Sequence, residues 1–278
     1  MLNQARNLLN LGNVVLVGSG KGGVGKTLIT VNLSIILKTL GFKVLIFDLD
    51  VGFTNSDVLL NVHPKFSLSD LIMKKCEKKD VIYPTEYGAD LVNVGNDLET
   101  IFLFNENNVK EFYINFAQIA QNYDFILIDL PPGYNDNFAP FFNCANSTLV
   151  ITTTQPTSLV NAYTFVKILI HKGVPSNNIH LVGNLIEQYR DSLQNLNRFS
   201  AVLEKFTGEK IGSLTLIKKH PTVEKSVYDR KPFVIDSPKI QPTFALYRIA
   251  SILTKKEIPQ KETILEKLLA FFKGVKQS

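Results

Sequence analysis

Short, almost unbroken apolar runs alternate with longer amphipathic stretches along this chain. Val14-Val15-Leu16-Val17, Lys43 to Phe47, Phe125-Ile126-Leu127-Ile128, Thr148-Leu149-Val150-Ile151 and His180-Leu181-Val182-Gly183 have the length of strands. Their β-branched and Leu positions run on without polar alternation. Both faces of each strand are therefore predicted to be buried, as in a parallel sheet. Helical spacing covers Thr27 to Leu40, where Gly41 stops it, and stretches near 108–121, 157–172, 190–206 and 242–254. Strands alternating with helices of this length predict a doubly wound α/β fold, a mostly parallel sheet with helices on both faces. No internal repeat and no Pro/Gly/Ser-rich linker precedes about residue 255. The expected organisation is a short segment 1–12, a main domain 13–254, and a connector with a final helix over 255–278.

Composition narrows the class only a little. Of 278 residues, 45% are apolar and 20% charged, so disorder is excluded and the chain is long enough for a full core. Net charge is +5, of which residues 255–278 carry +3 (six Lys, three Glu), so a basic tail rather than a basic body sets the balance. That weakens a general nucleic-acid reading. The two cysteines, Cys76 and Cys144, form no CxxC pair, which excludes a disulfide framework and the common zinc spacings. With no leader-like start and no run of eighteen apolar residues, a soluble cytoplasmic chain is expected.

The chemistry concentrates in Gly20-Lys21-Gly22-Gly23-Val24-Gly25-Lys26-Thr27, directly after the first strand and before the first helix. Glycines let successive backbone N–H groups turn inward around phosphate oxygens, and the following helix points its positive end at the same place. In a loop of this spacing Lys26 reaches the β- and γ-phosphates, and the Thr27 hydroxyl ligates Mg²⁺. Two acidic strand ends follow. Asp48 and Asp50 close the second strand, and Asp129 closes the strand that runs into Pro131-Pro132-Gly133. Strand C-termini in open α/β sheets face the ligand crevice, so these carboxylates are candidates for holding metal and orienting water.

The spelling GKGGVGKT, with Lys21 straight after the first glycine, resembles the deviant Walker A motif of the ParA/MinD family of P-loop ATPases. The resemblance extends over about residues 13–254. It implies ATP and Mg²⁺ as ligands, and a homodimer in which Lys21 reaches the partner's nucleotide. By the same match Asp50 would position the attacking water, and Asp48 would support metal and loop within a switch I that includes Asn55. Asp129 would hold Mg²⁺ through water, Gly133 would sense the γ-phosphate, and Asn184 would read the adenine. Ile217-Lys218-Lys219-His220-Pro221 departs from the family's Ile-Pro-x-Asp stretch, which leaves the base-side contacts open.

The ends of the chain distinguish branches of the family. Asn3 to Leu9, with Gln4 as its second residue, resembles the DQAxxLR motif of the FlhG branch, which controls flagellar number and whose partner, met through this segment, is an FlhF-type GTPase. Over Lys261 to Lys276, one helical face collects Ile264, Leu265, Leu268, Phe271 and Phe272, flanked by lysines. Such a helix suits the headgroup layer of an anionic membrane, and the resemblance places a membrane-targeting helix there. The expected protein is an ATP-dependent dimerisation and membrane-association switch on the inner face of the cell membrane, acting on flagellar number or placement. MinD-type division-site control is the alternative, followed by a ParA-type segregation ATPase using Lys205, Lys210, Lys218 and Lys219 on DNA. A nonenzymatic binding module is a further reading. An iron–sulfur carrier of the Mrp type shares the Asp-Xaa-Pro-Pro-Gly spelling but requires a late CxxC, absent from this sequence.

Overall fold

The computed structural model describes residues 12–50, 56–95 and 108–256. Gln4, Asn55 and the final helix with Ile264, Leu265, Leu268, Phe271 and Phe272 lie outside these residues. Among the described residues eight strands form one sheet: β1 (Asn13–Gly18), β2 (Val44–Asp48), β3 (Tyr83–Pro84), β4 (Asp90–Asn93), β5 (Phe125–Asp129), β6 (Ser147–Thr152), β7 (Ile179–Ile186) and β8 (Ser213–Lys218). Their spatial order is β3-β4-β2-β5-β1-β6-β7-β8. Every pairing is parallel except that of β3 with β4. The principal helices are α1 (Lys26–Thr39), α2 (Ser56–Leu60), α3 (Leu68–Ile72), α4 (Val109–Ala120), α5 (Ala139–Cys144), α6 (Pro156–His171), α7 (Tyr189–Thr207), α8 (Pro221–Tyr228), α9 (Phe233–Asp236) and α10 (Gln241–Thr254).

Period-two alternation along the buried strands divides the core into two layers. Val14 and Leu16 of β1 join Phe47, Phe112, Phe116 and Phe141 on one face. Val15 and Val17 join residues of α1 and α10, such as Leu33, Ile36, Leu246 and Ile249, on the other. On the first face the Phe47 and Phe116 rings meet edge-on at 5.0 Å, and Phe116 and Phe141 at 4.8 Å. Each buried ring contributes roughly 2–3 kcal/mol of transfer free energy. This layer supports β2 and β5, the strands that end in Asp48 and Asp129.

The registers decide what stands side by side at the C-terminal edge. Val17 of β1 pairs with Asp129 of β5, and Asp129 pairs with Asp48 of β2. Three loops therefore leave adjacent strands at the same level. β7 runs past the expected strand end at Gly183. Leu185 adopts φ 56° and the pairing with β8 is irregular between Gly183 and Ile186, so Asn184 sits inside the strand at a bulge rather than at its end.

Candidate nucleotide-binding and hydrolysis site

The glycine-rich loop links β1 to α1, and its shape depends on two left-handed residues. Gly23 has φ 75° and Gly25 φ 92°, a region that a Cβ penalises. Gly25 is the N-cap of α1 and supplies no side-chain cap, and the first turn contains no acidic residue. The opening N–H groups of α1 thus remain available to an anion, with the helix dipole behind them. Gly20 is needed for a different reason. A Cβ there would lie 2.3 Å from the Asn161 backbone, because α6 packs directly onto the loop.

Lys26 and Thr27 open α1. Lys26 is buried beneath the loop. The Thr27 hydroxyl donates to Asp129 Oδ2 at 2.5 Å. Asp129 is fully buried, and its second oxygen, Oδ1, has no hydrogen-bond partner. Buried carboxylate oxygens are ordinarily satisfied, so an unpartnered one beside a Thr hydroxyl at a phosphate-binding loop suits a hydrated divalent cation.

Asp48 is also fully buried, and both of its oxygens are engaged. Oδ1 accepts from the Asp50 N–H at 3.0 Å, and Oδ2 from the Ser56 N–H at 3.3 Å. One carboxylate thereby ties the backbone at Asp50 to the backbone at Ser56. Burial pushes the Asp129 carboxyl well above the usual carboxylate range, and the neighbouring Asp48 charge pushes it further. Burial likewise raises Asp48, against the hydrogen bonds it accepts. Asp50 is half-buried and also raised by desolvation, with the Lys26 charge pulling it back. Burial thus disfavours the charged form of all three carboxyls, and a divalent cation beside them would favour it.

Lys21 lies at the rim. Its Nζ reaches Thr157 Oγ1, in the first turn of α6 of the same chain, at 3.3 Å. Gly133 has φ 85° and donates its N–H to the Ser19 carbonyl at 2.7 Å. Asn184 donates from Nδ2 to the Val24 carbonyl at 2.9 Å and sits 2.5 Å from where a Cβ on Gly25 would be. Its amide therefore braces the phosphate loop from below. It also lines a cleft with Leu28, Ile29, Ile217, His220 and Phe233, beside the start of α1. The departure at residues 217–221 has a structural use, since His220 Nδ1 accepts from the Thr222 N–H and caps α8. Lys218 lies over the Tyr189 ring, and Lys219 pairs with Glu187 and Glu224.

The structure brings Gly20 to Thr27, Asp48, Asp50, Asp129, Gly133 and Asn184 around one end of the sheet. Sequence reasoning did not single out Ser19 or Thr157. Their contacts join segments far apart in the chain and leave no local signature. No helix among the described residues is long and apolar enough to cross a membrane.

Similarity to known proteins agrees with this geometry. The ParA family model, described as an NUBPL iron-transfer P-loop NTPase, matches residues 10–253. The chain belongs to the ParA/MinD family of P-loop ATPases. Among characterised relatives, the antiactivator FleN of Pseudomonas aeruginosa is 26% identical, with 88% of each chain covered. The flagellum site-determining protein YlxH of Helicobacter pylori is 24% identical with 98% of each covered. The septum site-determining protein MinD of Thermotoga maritima is 29% identical over 63% of this chain and 64% of its own. The fold resembles that of the cell division ATPase MinD of Pyrococcus furiosus, with a TM-score of 0.70, 23% identity, and 88% and 99% of the two chains covered. It also resembles Pyrococcus horikoshii MinD solved with Mg-ADP, with a TM-score of 0.70, 22% identity, and 89% and 100% covered.

Proposed function

We propose that this ATPase binds Mg·ATP and uses it to pair two copies face to face, each supplying Lys21 to the nucleotide of the other. The observation that carries the Mg·ATP part of the reading is the Asp129 carboxylate, held by Thr27 on one oxygen and unpartnered on the other at the uncapped start of α1. The pairing part is supported by the place of Lys21 at the rim. Thr27 would hold Mg²⁺ directly and Asp129 would hold its water shell, and the ion would supply positive charge at the phosphate oxygens. The first N–H groups of α1 and buried Lys26 bind the phosphates. Asp50 orients the attacking water, and Asp48 keeps Asp50 in place through the Asp50 N–H. The cleft containing Asn184, Ile217 and His220 receives the base. In the single chain Lys21 rests on Thr157, so pairing requires it to leave that hydroxyl.

The paired form is proposed to sit on the inner membrane surface through the final helix of 255–278, and to act on flagellar number or placement with an FlhF-type GTPase met by Gln4. Similarity to FleN and YlxH over most of the chain supports this role. Division-site control is the second reading, favoured by the MinD relatives and fold neighbours. Purified full-length protein with Mg·ATP is expected to pellet with anionic liposomes, and removal of residues 260–278 to abolish pelleting. FlhF should be captured by the full chain and lost on removal of residues 1–12. Unchanged pelleting after the first truncation would reject the membrane role, and no capture of FlhF by the full chain would favour the division-site reading.

A further inference from the structure

Ser19 is fully buried between the phosphate loop and the segment that follows β5, and it bonds in two directions. Its Oγ donates to the Lys21 carbonyl at 2.8 Å. Its own carbonyl accepts the Gly133 N–H at 2.7 Å. Just before this, Leu130 donates to the Val17 carbonyl at 3.0 Å, which extends the β1–β5 pairing beyond the strands. The Gly133–Ser19 bond is therefore a last rung of the sheet, placed where one chain segment carries Gly133 and the other carries Lys21. A buried hydroxyl with a good partner holds in place the backbone it bonds. Gly133 cannot direct its N–H to a phosphate while the Ser19 carbonyl holds it, and the Lys21 backbone cannot shift without straining the Ser19 hydroxyl bond.

We infer that Ser19 is a positioning residue that joins the two sides of the switch, so that the bonding of Gly133 sets the backbone from which Lys21 extends to the partner copy. The inference rests on the proposed action of Lys21 across a dimer and adds the element that prepares Lys21 for it. Because Ser19 would serve its own chain's Lys21, its loss should be felt at the partner's nucleotide, not at its own.

Subunit mixing tests this directly. Ser19→Ala is expected to lower Mg·ATP turnover about tenfold and to leave fluorescent ADP affinity within about threefold. Asp50→Ala copies are inactive at their own nucleotide but carry an intact Ser19 and Lys21. Mixing them with Ser19→Ala copies should restore turnover to at least threefold above the sum of the two alone, as should mixing them with Lys21→Ala copies. Restoration with Lys21→Ala but not with Ser19→Ala overturns the inference and leaves the trans-acting lysine standing. Restoration with neither overturns both. An ADP affinity that falls as far as turnover would reduce Ser19 to a support of its own loop and also overturn the inference.

Discussion

Asp50→Ala is expected to stop phosphate release almost completely, by about a thousandfold, while Mg·ATP affinity stays within about threefold. Asp50 is half-buried at the end of β2, and its backbone is fixed by the Asp48 carboxylate. The proposed phosphate contacts belong to Lys26, Thr27 and the first turn of α1 and not to Asp50. Removing it deletes the group that orients water and spares those that hold the nucleotide. Single-turnover phosphate release and fluorescent-nucleotide titration separate the two effects. Turnover within tenfold of the parent would remove Asp50 from the reaction.

Asp129→Asn should give opposite results for stability and activity. Burial and the adjacent Asp48 charge outweigh the Thr27 bond and the Lys26 charge, so the folded carboxyl holds its proton above the ordinary 3.8. The native state then binds more protons than the unfolded chain, and stability falls as pH rises from that value through the raised folded one. An uncharged isostere removes this cost. Without Mg²⁺ or nucleotide, Asp129→Asn is expected to be more stable than the parent by about 1–3 kcal/mol at pH 7.5, with the gap closing toward pH 4. Turnover with Mg·ATP should fall at least about a hundredfold, because the amide cannot replace a carboxylate beside the metal. Urea titrations at the two pH values and a Mg²⁺-dependent rate measurement check both halves. A variant that is less stable in the absence of metal, or that keeps its turnover, contradicts the assignment.

Much of this was legible in the sequence because it is written locally. The long helices were anticipated to within a residue or two, as with Thr27 to Leu40 against Lys26–Thr39, because their apolar spacing and stop signals are contiguous. The same holds for the loop Gly20 to Thr27. Short elements were not anticipated. The Tyr83–Pro84 and Asp90–Asn93 hairpin and the five-residue helix Leu68–Ile72 are too brief to show a period. Strand β8 carries a weak local signal, because its apolar residues are interrupted by Thr215 and followed by Lys218. The site itself needed the registers. That Asp48 and Asp129 would stand opposite one another, 81 residues apart in the chain, follows from the pairing of β2 with β5 and from no local pattern. The same limit applies to Asn184. Its place in the sequence suggests a base contact, but nothing local shows that one of its two amide protons bonds the Val24 carbonyl beneath the loop, 160 residues away.

Pairing driven by the triphosphate is the claim on which the roles of Lys21, Gly133 and Ser19 all depend. Light scattering of the Asp50→Ala protein, with Mg²⁺ and either ATP or ADP at saturating concentration, measures it without loss of the ligand to hydrolysis. The account predicts twice the chain mass with ATP and the single-chain mass with ADP. A single-chain mass in both, with ATP shown to be bound, would contradict it.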